Sequence, residues 1–127
     1  MSINDTIHQH LTEVLKETAG GNEREGLEYG LRLLARWRTQ LIQNTLFARY
    51  GAVVQSGPFK GMTFVDRSAE GCYAPKIVGS YEQELHPHIE AAIARGYGHV
   101  VNIGMAEGYY ATGMALRLPD AIVDAFD

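Results

Sequence analysis

The chain has 127 residues, 46% of them hydrophobic and 20% charged, which is the composition of one globular domain or of a domain with an arm. No run of about 18 apolar residues exists and no charged-then-apolar leader opens the chain, so neither a membrane span nor a secretory signal is visible and a cytoplasmic setting is the default. A formal net charge of −4 gives no general attraction to nucleic acid, and a single cysteine, Cys72, excludes an internal disulfide and a cysteine metal set.

Three parts follow in chain order: an N-terminal helical arm over 1–50, a β-hairpin and loop over 51–78, and a β-α-β part over 79–127. Ile3, Ile7, Leu11 and Leu15 recur at i, i+4 spacing and predict an amphipathic helix over 3–19, ended by Gly20-Gly21. Asn22 is a good N-cap for a second helix running towards Tyr50, with Leu27, Leu31, Leu34 and Leu41 on one face, Leu33, Trp37 and Thr45 beside them, and Gly30 as a candidate kink. Apolar residues on more than one face imply that this helix is covered on two sides. Its second cover is either the rest of the chain or another subunit, so the arm is a candidate homodimer surface. Arg32, Arg36, Arg38 and Arg49 form the basic cluster, read as a solvated helix face rather than a phosphate site.

Val53-Val54-Gln55 and Met62-Thr63-Phe64-Val65 flank the turn Ser56-Gly57-Pro58-Phe59-Lys60-Gly61 and predict a β-hairpin, read as an accessory flap on the rim of the domain. Asp66 to Pro75 has no period and reads as a connecting loop. Ser80 with Gln83 makes a capping box for a helix whose stripe is Leu85, Ile89, Ala92 and Ile93, ended by Gly96, with Pro87 splitting off its first turn. His86 and His88 stand two apart and would diverge on a helix, so they are not a ligand pair for a metal.

The richest stretch is His99-Val100-Val101-Asn102-Ile103-Gly104-Met105-Ala106-Glu107-Gly108-Tyr109-Tyr110, followed by a helical pattern and by Ala121-Ile122-Val123-Asp124-Ala125-Phe126-Asp127. Val100, Val101 and Ile103 suit a buried parallel strand, and Gly104 lets the chain turn tightly at its carboxyl end. Gly108 stands where a helix begins, so free N–H groups and the positive end of the helix dipole face the same crevice, favouring a carboxylate or phosphate. Asp127, at the tip of a second strand, would lie level with the turn and could accept both hydroxyls of a ribose, each hydrogen bond to a charged group contributing about 1.5–3 kcal/mol. A G-x-G-x-x-G dinucleotide fingerprint would need a small residue at position 109, and Tyr109 argues against it.

This stretch resembles motif I of the class I S-adenosylmethionine-dependent methyltransferases: Gly104, Ala106 and Gly108 fall on the three glycine places and Asp127 on the ribose-binding acid. Gly79-Ser80-Tyr81-Glu82-Gln83-Glu84-Leu85-His86-Pro87 is similar to the Tyr-Glu helix that closes over the cofactor in many members. The resemblance covers about 75–127 and departs from the family at Asn102, where an acid is usual, and at Ala106. It implies an α/β fold, the start of a Rossmann-like doubly wound sheet, and S-adenosyl-L-methionine as cofactor. The implied contacts are Tyr81, Glu82, Asn102, Gly104, Met105, Ala106, Glu107, Gly108, Tyr109 and Asp127. It implies methyl transfer to an unidentified acceptor, with no general base to name. A doubly wound domain has about five to seven strands and this chain shows two. The expectation is therefore the N-terminal part of a longer enzyme, with little turnover alone. The alternative is a helical interaction module whose nucleotide-binding half is not functional.

Overall fold

A computed structural model describes residues 1–66 and 71–127. It is α/β and mostly helical: α1 (Ile3–Glu17), α2 (Glu23–Tyr50), α3 (Tyr73–Val78), a 3₁₀ turn (Gln83–Leu85), α4 (His86–Arg95), β1 (His99–Ile103), α5 (Tyr109–Arg117) and β2 (Ile122–Phe126). Two compact units divide it, Met1–Thr45 and Leu46–Asp127, so the hairpin segment and the β-α-β part share one unit. Among the described residues no helix is long and apolar enough to cross a membrane.

The first unit is a helical hairpin. Ser2 caps α1 reciprocally: its hydroxyl accepts from the Asp5 N–H at 3.2 Å while the Asp5 carboxylate accepts from the Ser2 N–H at 2.9 Å. α2 starts after Asn22 as its sequence indicates and runs unbroken through Gly30. The face that meets α1 differs from the expected one. Gly26 and Gly30 are its buried residues, and Leu33, Trp37 and Leu41 continue the row half-buried, whereas Leu27, Leu31 and Leu34 are exposed. The reason is steric, because a Cβ at Gly26 would collide with the Thr18 side chain and one at Gly30 would stand 2.9 Å from Leu11 Cδ1. The bare glycine backbones admit α1 closer than a leucine row could, and Trp37 Nε1 locks the pair by donating to Asn4 Oδ1 at 2.9 Å.

The second unit is organised around the segment expected to be a rim flap. Its antiparallel pairing is present but short, with one bridge between Val53 and Thr63, and Phe64 N–H donating to Ala52 O at 2.7 Å and Val54 N–H to Met62 O at 2.9 Å. The flap placement is corrected, because Val54, Phe59, Met62 and Phe64 are core residues, joined by Tyr73, Ile77 and Tyr109. Four aromatic rings, those of Phe59, Phe64, Tyr73 and Tyr109, gathered in one cluster bury too much apolar surface to sit on a rim. The Phe59 ring lies under α5 at Gly113, where any Cβ would fall on the ring, and meets Tyr109 edge-on at a centroid distance of 5.4 Å. Arg117 fastens the same place from outside, donating to Pro58 O and, through two nitrogens at 3.0 and 2.9 Å, to Glu90.

Two further local expectations change. Of the loop expected over Asp66 to Pro75, 67–70 lie outside the described residues, and Tyr73 already opens α3, whose six residues are too few to show a period. Pro75 is tolerated there because the first turn of a helix needs no intrahelical N–H. The Ser80–Gln83 capping box does not form: Glu82, at φ +46°, occupies the cap position, and the Ser80 N–H donates to Pro75 O at 2.9 Å instead. Tyr81 and Glu82 therefore form a turn rather than a helix. Pro87 does separate the 3₁₀ turn from the body of α4, which ends at Gly96.

β1 and β2 pair in parallel, with His99 opposite Ile122 and Ile103 opposite Phe126, and α5 crosses between them and packs on both. Val100, Asn102, Val123 and Ala125 turn one half-buried face of this sheet inward, while Val101, Ile103, Ile122 and Phe126 stand exposed on the other.

Gly113→Ala is expected to destabilise the second unit by about 1–3 kcal/mol, the usual cost of forcing a methyl into a filled core. Urea unfolding reads this as a lower midpoint at constant slope, and an unchanged midpoint would show that Phe59 does not sit against α5.

Candidate functional site

The site grows out of the carboxyl end of β1. Gly104, at φ +75°, turns the chain, and its N–H and that of Met105 both donate to Phe126 O, at 2.8 and 3.0 Å, so the loop is tied to the last residue of β2. Ala106 then stands at φ +47° and Gly108 at φ +80°. The three glycine places of the motif are thus the three left-handed positions of one loop. That backbone conformation costs a residue with a Cβ about 1–2 kcal/mol, a cost that Ala106 bears. Around Gly104 a Cβ would meet nothing within 4 Å, which leaves that stretch of main chain open to approach.

Asp127 lies level with the loop, as its position after β2 requires. Its Oδ1 accepts from the Ala106 N–H at 3.2 Å, and its second oxygen keeps its acceptor capacity. Asn102, last inward residue of β1, has a buried Oδ1 with no hydrogen-bond partner among the described residues. A buried acceptor without a donor costs about 1–3 kcal/mol. An ammonium or amide N–H brought to that end of the strand would relieve it.

Behind the loop stands a charged contact that the sequence did not reveal. Lys76 of α3, 5% exposed, donates from Nζ to Glu107 Oε2 at 2.9 Å, and the same Nζ lies 5.1 Å from the Tyr81 ring centroid and 5.6 Å from that of Phe64. Glu107 is therefore committed to the protein's own cation. A lysine in a six-residue helix carries no sequence signal of this role. Only the fold brings positions 31 residues apart into contact.

The remaining expected residues cluster beside that pair. Tyr81 is half-buried with its ring 5.6 Å from Tyr109, and the Tyr110 hydroxyl donates to the Glu82 carboxylate. Burial first, and the neighbouring Glu82 carboxylate second, push the Tyr110 phenol far above its usual range, so it stays a hydrogen-bond donor at any physiological pH. Tyr109 belongs to the core: it is buried, and its hydroxyl reaches Lys76 O at 3.4 Å. His86 is occupied by the Tyr81 carbonyl at 3.1 Å, His88 is exposed, and among the described residues no group of three or more His, Cys, Asp or Glu side chains could hold a metal. Cys72 is exposed.

In sum of geometry, Asn102, the Gly104–Gly108 loop and Asp127 meet at one end of the sheet, and Tyr81 and Glu107 join them through Lys76. No protein-family model matches the chain, and neither a curated protein nor a solved structure matches it.

Replacing Lys76 by Met takes from the half-buried Glu107 carboxylate the cation it faces and is expected to cost about 3–5 kcal/mol, whereas Lys76→Met with Glu107→Leu should recover most of it. Urea unfolding of the two single variants and the double variant gives the coupling. Additive losses would show that the pair does not act as a unit.

Proposed function

We propose that this chain holds S-adenosyl-L-methionine at the carboxyl end of β1 and serves as the cofactor-binding part of a methyltransferase. The observation that carries the reading is the joint between Asp127 and the loop: the one carboxylate at the end of β2 is held on the Ala106 N–H, beside an open Gly104. The residue types suit the cofactor group by group. Asp127 has an oxygen left for ribose hydroxyls, the unpartnered Asn102 Oδ1 matches a donor on the methionine end, and the first N–H groups of α5 favour that end's carboxylate.

When bound, this cofactor supplies an electrophilic methyl on a sulfonium, with the thioether as leaving group. What the chain contributes is placement and exclusion of water rather than acid–base chemistry. Tyr81 and Tyr110 give the flank of the loop an aromatic surface, with Tyr109 buried behind them, and Lys76 keeps Glu107 neutralised so that the loop holds one shape. The acceptor and any general base are left unassigned. A nicotinamide dinucleotide is disfavoured, because its third small position falls on Tyr109, which fills the core.

The second reading, an interaction module, is favoured by the exposed leucines of α2. Ligand binding separates the two. Calorimetric titration with S-adenosylhomocysteine is expected to give saturable binding with one site, NADH to give none, and Asp127→Ala to weaken binding by more than about tenfold, or 1.4 kcal/mol. Unchanged affinity in that variant would remove Asp127 from the site, and heat from NADH alone would replace the cofactor class.

A further inference from the structure

From α2 we infer that two copies of this chain pair antiparallel through the helix face that α1 leaves bare. Leu27, Leu31, Leu34 and Ile42 lie along one side of α2, with Arg38 in the same row between Leu34 and Ile42, apart from the Gly26, Gly30, Leu33, Trp37 row that takes α1. Leu27 is 64% exposed and Leu31 70%, the most exposed leucines of α2. The row runs for about 22 Å of helix axis, long enough for three turns of side chains to interleave with a partner helix.

Charge decides the occupant and its direction. On this side of α2, Glu23 and Glu28 border the row at its start, beside Arg24, while Arg38 stands in it further along with no acidic residue near it in sequence. A parallel neighbour would set like charge beside like charge and align the two helix dipoles. An antiparallel copy of the same helix sets the acidic end of each against the basic end of the other, which is the self-complementary surface a two-fold dimer needs. With the two-fold near Leu34, Leu27 meets Ile42 of the second copy and Glu28 lies within a turn of its Arg38. The exposed Arg24–Glu28 contact within the chain, at 3.0 Å, is solvent-screened and does not compete strongly. Two α1–α2 hairpins so joined form a four-helix arrangement. This pairing is independent of the cofactor site.

Sedimentation equilibrium of the 127-residue chain tests it. The expected result is a dimer at micromolar concentration whose dissociation constant rises at least tenfold in Leu34→Glu, an exposed position next to the two-fold where the two new charges face each other and the hairpin stays intact. Glu28→Arg and Arg38→Glu should each weaken the dimer, and the two together should restore it. In a Cys72→Ser background, Leu34→Cys should crosslink on oxidation and Leu27→Cys should not. A monomer throughout the concentration range, or a dimer indifferent to Leu34→Glu, would overturn the inference. A crosslink through Leu27→Cys would overturn its antiparallel direction.

Discussion

Where a side chain at position 113 would stand, the Phe59 ring stands instead, and the second unit is arranged around that substitution of one residue's volume for another's. The short antiparallel segment delivers Phe59 from 54 residues away, and α5 accepts it because Gly113 offers no Cβ. Tyr109 and Tyr110 then close edge-on against the ring at 5.4 and 5.9 Å. Arg117 holds the outer end of the same helix to Pro58 and Glu90. Since α5 is also the helix whose N-terminus follows the glycine loop, the packing under Phe59 sets where that loop sits.

The loop itself is a backbone device. Three alternate residues, Gly104, Ala106 and Gly108, are left-handed, and this coil turns successive N–H groups towards Phe126 O and the Asp127 carboxylate. Glu107, between two of them, is drawn back to Lys76, so the acidic side chain of the loop points into the protein's own charge balance. A buried pair of this kind contributes little net stability, since desolvation of both ions offsets most of their attraction. Its consequence is geometric: Glu107 cannot turn elsewhere without leaving Lys76 charged in an aromatic pocket made by Phe64 and Tyr81.

Signals that are local in sequence were legible, and those that need tertiary contact were not. The periodicity of Ile7 and Leu11, the helix start after Asn22, and the run from Val100 through Gly104 to Asp127 each declare themselves within a few residues, and α1, α2, β1, α5 and β2 follow. By contrast, α3 is too short to show a period, and Lys76 has no local feature that marks it as buried. The leucines of α2 drew attention because they are apolar, whereas the seam to α1 runs through Gly26 and Gly30, whose merit is the absence of a side chain. The hairpin residues showed alternation without showing which layer they enter. In the candidate site the loop and Asp127 could be read from the motif, but the unpartnered Asn102 Oδ1 could be seen only once its neighbours were in place.

The sheet leaves one apolar face bare, with Ile103 82% exposed opposite Phe126, although parallel strands are normally covered on both faces. The cofactor site proposed at the end of β1 is thus furnished from the α5 side, by the loop, Asn102 and Asp127. The most direct measurement of that claim is the change in backbone amide chemical shifts when S-adenosylhomocysteine is added to the ¹⁵N-labelled chain. Shifts concentrated at Gly104, Ala106, Gly108 and Asp127 are the result this account predicts. Saturable shifts confined to residues outside 102–110 and Asp127, or no shift at a saturating concentration of the ligand, would contradict it.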